Sequence, residues 1–214
     1  MSLSALRQEL ARVIPASPPP SGGVVTGYAP LDSALGGQLP RGRLTEISGL
    51  PGSGRTTLLR RLVAAAVRAG LTVGYVDSDR TMTPRDWADL ALPEPDRGLW
   101  VVRPPDPARG SWCADVLLRS GVFPLVVLDG GPPLARVSAV RLATLARERD
   151  AALVLSRGQL PAGRQLPAGT QPGSHGIHVA VRGMPPRRLE VDRAVVVARR
   201  LCAHPPIPDR RGVE

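Results

Sequence analysis

The chain contains no lysine: all 28 of its basic residues are arginine. Any site that elsewhere relies on an ammonium group must here use a guanidinium. Aromatic residues are scarce, confined to Tyr28, Tyr75, Trp87, Trp100, Trp112 and Phe123. Cys113 and Cys202 form neither a CxxC pair nor a disulfide framework, which points to a reducing cytoplasm. No apolar run approaches membrane-spanning length and no signal peptide opens the chain. The expectation is a soluble protein that stays inside the cell and has no membrane partner.

What is present is proline, glycine and positive charge. The 214 residues suit one domain with a real core, and 24 prolines and 23 glycines cluster between apolar segments. A net charge of +10 favours acidic partners, nucleic acid or an acidic protein surface. Most arginines are dispersed as on any solvated surface. Only Arg182, Arg187, Arg188, Arg193, Arg199, Arg200, Arg210 and Arg211 make one part locally basic.

Leu3, Leu6, Leu10, Val13 and Ile14 fall near helical spacing, so residues 1–14 read as an amphipathic helix. "PASPPPSGG" (15–23) reads as a linker, 24–200 as the core domain, and 201–214 as a flexible tail. Within the core, strand-like runs at 44–48, 71–77, 99–102, 125–129 and 152–156 alternate with helix-like stretches at 56–68, 84–91, 111–120 and 138–149. Strands apolar on both faces and separated by amphipathic helices predict an α/β fold, a mostly parallel sheet covered on both sides. Ile177–Arg182 and Leu189–Ala198 alternate and flank "GMPP", which predicts a C-terminal β-hairpin extending the sheet.

"GLPGSGRTT" (49–57) lies between a strand and a helix, where a glycine-rich turn presents backbone N–H groups to a phosphate chain. Gly49, Gly52, Ser53, Gly54, Arg55, Thr56 and Thr57 are the candidate nucleotide-binding residues, with Thr56 placing a hydroxyl on Mg²⁺. Arg55 stands where such loops carry lysine. In a chain without lysine, that change alone does not separate a working nucleotidase from a binder or from a loop kept for its shape. "FPLVVLDG" ends an apolar strand in Asp129, a carboxylate suited to hold Mg²⁺ through its water shell. In "VGYVDSDR", Asp77 and Asp79 flank Ser78 at another strand end, where one could orient water or either could cap a helix.

"LDSALGGQLPRGRLTEISGLPGSGRTTL", "VGYVDSDRTMTPRDWADLAL", "LWVVRPPD", "LLRSGVFPLVVLDG" and "RDAALVLSRGQ" run in the same order as in the RecA recombinase core. The resemblance covers about residues 24–160 and implies a RecA-like P-loop fold with ATP and Mg²⁺ as cofactors. Among short RecA-like proteins the chain resembles the ImuA family, accessory factors of damage-induced mutagenesis, with SulA-like division inhibitors as a neighbouring group. Carried over by position, Thr56 and Asp129 match the Mg²⁺ side. Arg55 replaces the phosphate-contacting lysine, Asp79 replaces the catalytic glutamate, and no glutamine stands at Ser156 or Arg157, Gln159 falling slightly late.

Guanidinium is larger than ammonium but still pairs with phosphate oxygens. A carboxylate one methylene shorter can misplace a water by about 1 Å, enough to lose about 10²-fold. Slow or absent turnover is therefore expected, with Asp79 a catalytic candidate. DNA contact is expected to be weak or indirect. The loop "GGPPLAR" offers only Arg136, and the next offers Arg157, Arg164 and Arg182 without an aromatic for stacking. His175 and His178 read as solvated loop residues.

The resemblance implies an adaptor of the SOS response. Its partners would be RecA and ImuB, and through ImuB an error-prone replicative-type DNA polymerase, in a bacterial cytoplasm near the nucleoid. The N-terminal helix and C-terminal tail are the candidate partner-binding segments. Two alternatives remain: a DNA-stimulated ATPase using Arg55, Thr56, Asp79 and Asp129, and a SulA-like cell-division inhibitor.

Overall fold

The computed structural model describes residues 22–90, 98–158, 176–181 and 187–190. The expected N-terminal helix, most of the linker, Gln159, Arg164, His175, Arg182 and the tail lie outside the described residues, as does the side chain of His178.

A two-stranded ribbon opens the domain: β1 (Gly23–Val24) pairs antiparallel with β2 (Leu39–Pro40) around the short helix α1 (Ala29–Ala34). Gly23, the last residue of the expected linker, already pairs with Pro40. Asp32 fixes the turn between them by accepting a 3.0 Å hydrogen bond from the Thr26 amide.

β3 (Leu44–Ser48) then leads through the glycine loop into α2 (Arg55–Arg68). The helix buries Leu58, Leu59, Leu62, Val63, Ala66 and Val67, the stripe that helical spacing predicts. It ends in a Schellman turn. Gly70 adopts a left-handed φ of +78°, its amide bonds the Val67 carbonyl, and the Leu71 amide bonds that of Ala66.

β4 (Val73–Asp77), β5 (Leu99–Val102), β6 (Leu125–Asp129) and β7 (Ala152–Arg157) complete a five-stranded parallel core with β3. The full order is β5-β4-β6-β7-β3-β8-β9. β8 (Gly176–Val181) runs antiparallel to β3, and β9 (Arg187–Glu190) antiparallel to β8. The expected hairpin thus extends the sheet, its second arm starting at Arg187 rather than Leu189.

Strand alternation feeds two separate cores. Val73, Tyr75, Leu125 and Val127 pack with α2 and with α3 (Pro84–Trp87), while Val76, Val126 and Leu128 pack with α4 (Gly110–Ser120) and α5 (Arg136–Glu148). Covering both faces is why these strands read as continuous apolar runs. The helix expected over 84–91 starts at Pro84 as one α-turn and tightens into a 3₁₀ turn that ends at Leu90. Among the described residues no helix is long and apolar enough to cross a membrane.

Candidate functional site

The carboxyl ends of β3, β4, β6 and β7 converge, and the register explains how. Asp77 lies opposite Asp129, Asp129 opposite Ser156, and Ser48 opposite Arg157. Crevices at such strand ends hold ligands in open α/β sheets. The glycine loop leaves β3 at this edge. The Gly49 amide bonds the Arg157 carbonyl at 3.2 Å, and Gly52 and Gly54 take left-handed φ values of +79° and +89°. Gly54 then serves as the N-cap of α2 with no side-chain cap, so the first amides of the helix face the loop.

Arg55 does not point away from this cradle. Its Nη1 donates a 2.9 Å hydrogen bond to the carbonyl oxygen of Gly49, six residues back, so the guanidinium closes over the loop. Gly158 makes room for it, since a Cβ there would come within 3.2 Å of Nη1. The Arg55 Nε is buried with no partner. One N–H of the guanidinium is thus committed to the protein, and its other N–H groups remain for an anion. Thr56 is exposed at the start of the helix, Thr57 is half-buried, and Ser53 is buried with its hydroxyl unpartnered.

On the opposite side, Asp129 is buried at the end of β6. Its Oδ2 accepts a 2.7 Å hydrogen bond from the hydroxyl of Tyr75, while its Oδ1 has no partner. Tyr75 is fully buried on the neighbouring β4 and is held edge-on against Trp87, with ring centroids 5.1 Å apart. Burial, reinforced by the Asp129 charge, pushes its hydroxyl pKa well above the usual tyrosine range, so it stays a neutral donor. The sequence alone does not single out this hydroxyl. Its one signal is a polar ring in the otherwise aliphatic segment "VGYV".

The two aspartates around Ser78 divide. Asp77 is fully buried and accepts from the Thr81 amide at 2.9 Å, the Met82 amide at 3.3 Å and Arg103 Nε at 2.9 Å. Arg103 also donates to the Met82 carbonyl at 2.5 Å, so Asp77 latches the segment after β4 to the segment after β5. Asp79 is exposed, and its Oδ1 accepts a 2.9 Å bond from the Gly131 amide. Its other oxygen lies against Gly130, where a Cβ would collide with it. The candidate water-orienting carboxylate is therefore engaged with the turn that follows β6.

Of the nucleic-acid candidates among the described residues, Arg136 is exposed at the start of α5, and Arg157 lies 3.7 Å from the carboxylate of Glu46. The structure does not leave Arg157 as a free surface cation. Ser156, near the position where the resemblance calls for glutamine, is fully buried with an unpartnered hydroxyl.

These residues fit Mg²⁺ and a nucleotide unequally. An unpartnered carboxylate oxygen on Asp129 and the exposed Thr56 hydroxyl suit a hydrated divalent cation. On the phosphate side, a ligand must take the place of the Arg55–Gly49 bond or share the guanidinium with it.

A model of the RecA N-terminal domain family matches residues 21–141 of the chain. The protein RecA of Streptomyces venezuelae is 39% identical over 114 residues, covering 50% of this chain and 28% of that relative. The protein RecA of Kineococcus radiotolerans is 38% identical over 113 residues, covering 52% and 32%. The chain thus matches about a third of the length of these curated relatives. The crystal structure of the RadB recombinase shares the fold, with a TM-score of 0.50 and 24% identity over 63% of this chain and 69% of that one.

Proposed function

The chain belongs to the RecA N-terminal domain family, and from that premise we propose that it is an accessory protein of damage-induced mutagenesis, similar to the ImuA family. In this reading it binds RecA and ImuB, and through ImuB it serves an error-prone polymerase. It holds ATP and Mg²⁺ weakly if at all in the free state and turns ATP over slowly or not at all. One observation carries the reading: the groups that would drive hydrolysis are engaged inside the protein. Arg55 bonds Gly49 and Asp79 bonds the Gly131 amide. A RecA-shaped surface is then what remains for partners.

Asp129 Oδ1 favours a second reading, because an unpartnered buried carboxylate oxygen is costly unless a cation uses it. In that reading the protein is a DNA-stimulated ATPase. Phosphate release with and without single-stranded DNA separates the two. The adaptor reading expects no release above background, together with capture of purified RecA and ImuB. Turnover that Asp129→Ala abolishes would overturn it.

A further inference from the structure

How Asp129 can meet a cation is decided by a residue on the neighbouring strand. β4 and β6 run parallel with Tyr75 opposite Val127, so Tyr75 and Asp129 are diagonal neighbours on one face of the sheet. From there the tyrosine ring reaches along the strand, and its hydroxyl donates to Oδ2 at 2.7 Å. Tyr75 is fully buried and braced edge-on by Trp87, itself buried, so the donor is held in place. A hydroxyl–carboxylate bond of this length is of the strong, charge-assisted kind. Oδ2 is thereby withheld from any ligand that Asp129 meets.

Oδ1 is left over. It is buried without a partner, and so is the hydroxyl of Ser156, which stands opposite Asp129 on β7. Paired residues on adjacent parallel strands share a sheet face, so the two unmet groups are neighbours, and such groups in an interior call for a polar occupant. The glycine loop begins beside them: the Gly130 amide bonds the Ser156 carbonyl, and the Gly49 amide bonds the carbonyl of the next residue, Arg157. The other carboxylate directly opposite Asp129 is spent, because Asp77 accepts from Thr81, Met82 and Arg103. Among the described residues no group of three His, Cys, Asp or Glu side chains could hold an ion. An ion here takes one carboxylate oxygen from Asp129 and must draw most of its other ligands from water or phosphate.

We propose that Tyr75 is a positioning residue that sets the choice of cation. By occupying Oδ2 it restricts Asp129 to a single-oxygen contact, so the site takes small octahedral ions, Mg²⁺ or Mn²⁺, in preference to Ca²⁺. Ca²⁺ gathers about six to eight oxygens and often takes both from one carboxylate. Doing so here would break the Tyr75 bond and leave a buried hydroxyl unpaired. Mg²⁺ keeps several of its waters and needs no such break. The cation is the one fitted to Asp129 and Thr56 above; the new element is the tyrosine that selects it. This goes beyond both functional readings, which capture of RecA and ImuB and phosphate release test separately.

The probe is Mn²⁺ alone, titrated into the whole protein while the free ion is counted by its electron paramagnetic resonance signal. Mg²⁺ and Ca²⁺ are then added as competitors. Wild type is expected to bind Mn²⁺, and Asp129→Asn to bind it about tenfold or more weakly, which locates the ion at that carboxylate. In wild type Mg²⁺ should displace Mn²⁺ at a concentration about tenfold below that required of Ca²⁺, and in Tyr75→Phe this ratio should fall toward equality. A general loosening of the fold would weaken both competitors alike, so the ratio reports positioning rather than stability. Circular dichroism verifies that Tyr75→Phe is folded at the temperature of the titration; for a variant that does not fold, the wild-type ratio still decides. No Mn²⁺ binding, equal binding by wild type and Asp129→Asn, displacement by Ca²⁺ as readily as by Mg²⁺, or an unaltered ratio in folded Tyr75→Phe would each overturn the proposal.

Discussion

Asp77 and Asp129 end neighbouring strands directly opposite one another, yet they live differently. Asp77 accepts from two amides and a guanidinium, so its burial is compensated by long-range structure. Asp129 accepts one tyrosine hydroxyl and keeps an oxygen with nothing to bond. Buried polar groups in folded proteins are nearly all satisfied, and an exception calls for a function. The contrast places Asp77 in the architecture and leaves Asp129 with an oxygen open to a ligand.

The largest test of that contrast is a pair of substitutions. Asp77→Asn strips the charge that Arg103 needs and should cost about 3 kcal/mol in urea denaturation, the lower end for a buried pair because Arg103 is partly in solvent. Asp129→Asn keeps an acceptor for Tyr75 and removes an uncompensated charge, so stability should stay within about 1 kcal/mol of wild type. Equal losses in the two variants would erase the distinction.

Next comes Tyr75→Phe, which leaves both Asp129 oxygens bare and should cost about 2 kcal/mol. The same hydroxyl predicts an alkaline limb. Its folded pKa is raised, so its stabilisation is intact below the unfolded value near 10 and fades as pH climbs beyond it. Wild type should lose stability above about pH 10 with a slope near 1.4 kcal/mol per unit, and Tyr75→Phe should flatten that limb. Cys113, whose thiol burial also pushes up, acts in the same direction and must be held constant in the comparison. The smallest effect is Arg55→Ala, which removes one loop hydrogen bond and should cost about 1 kcal/mol by thermal melt.

The fold was largely legible because its signals are local. Apolar runs bounded by glycine and proline marked the strands, the α2 stripe followed helical spacing, and "GMPP" marked the hairpin. The loop and Asp129 were legible for the same reason. What the sequence did not reveal depends on partners distant along the chain. The Asp77–Arg103 latch spans 26 residues, the Tyr75–Asp129 bond 54, and the Asp79–Gly131 bond 52. Either Asp77 or Asp79 could cap a helix, but nothing in "VDSDR" names a turn after a different strand as the recipient. Strand order brings those groups together, and strand order is not written in any one segment.

The guanidinium closed over the glycine loop turns the entry of any ligand that needs its Nη1 into an exchange. A phosphate arriving at that Nη1 does not simply add its hydrogen bonds; it competes with the Gly49 carbonyl already bound there. Measured affinity is then the difference between two occupants, lowered by the fraction of molecules in which Arg55 has let go. A partner that drew Arg55 outward would raise nucleotide affinity without touching the nucleotide, and bound nucleotide would favour that partner by the same factor.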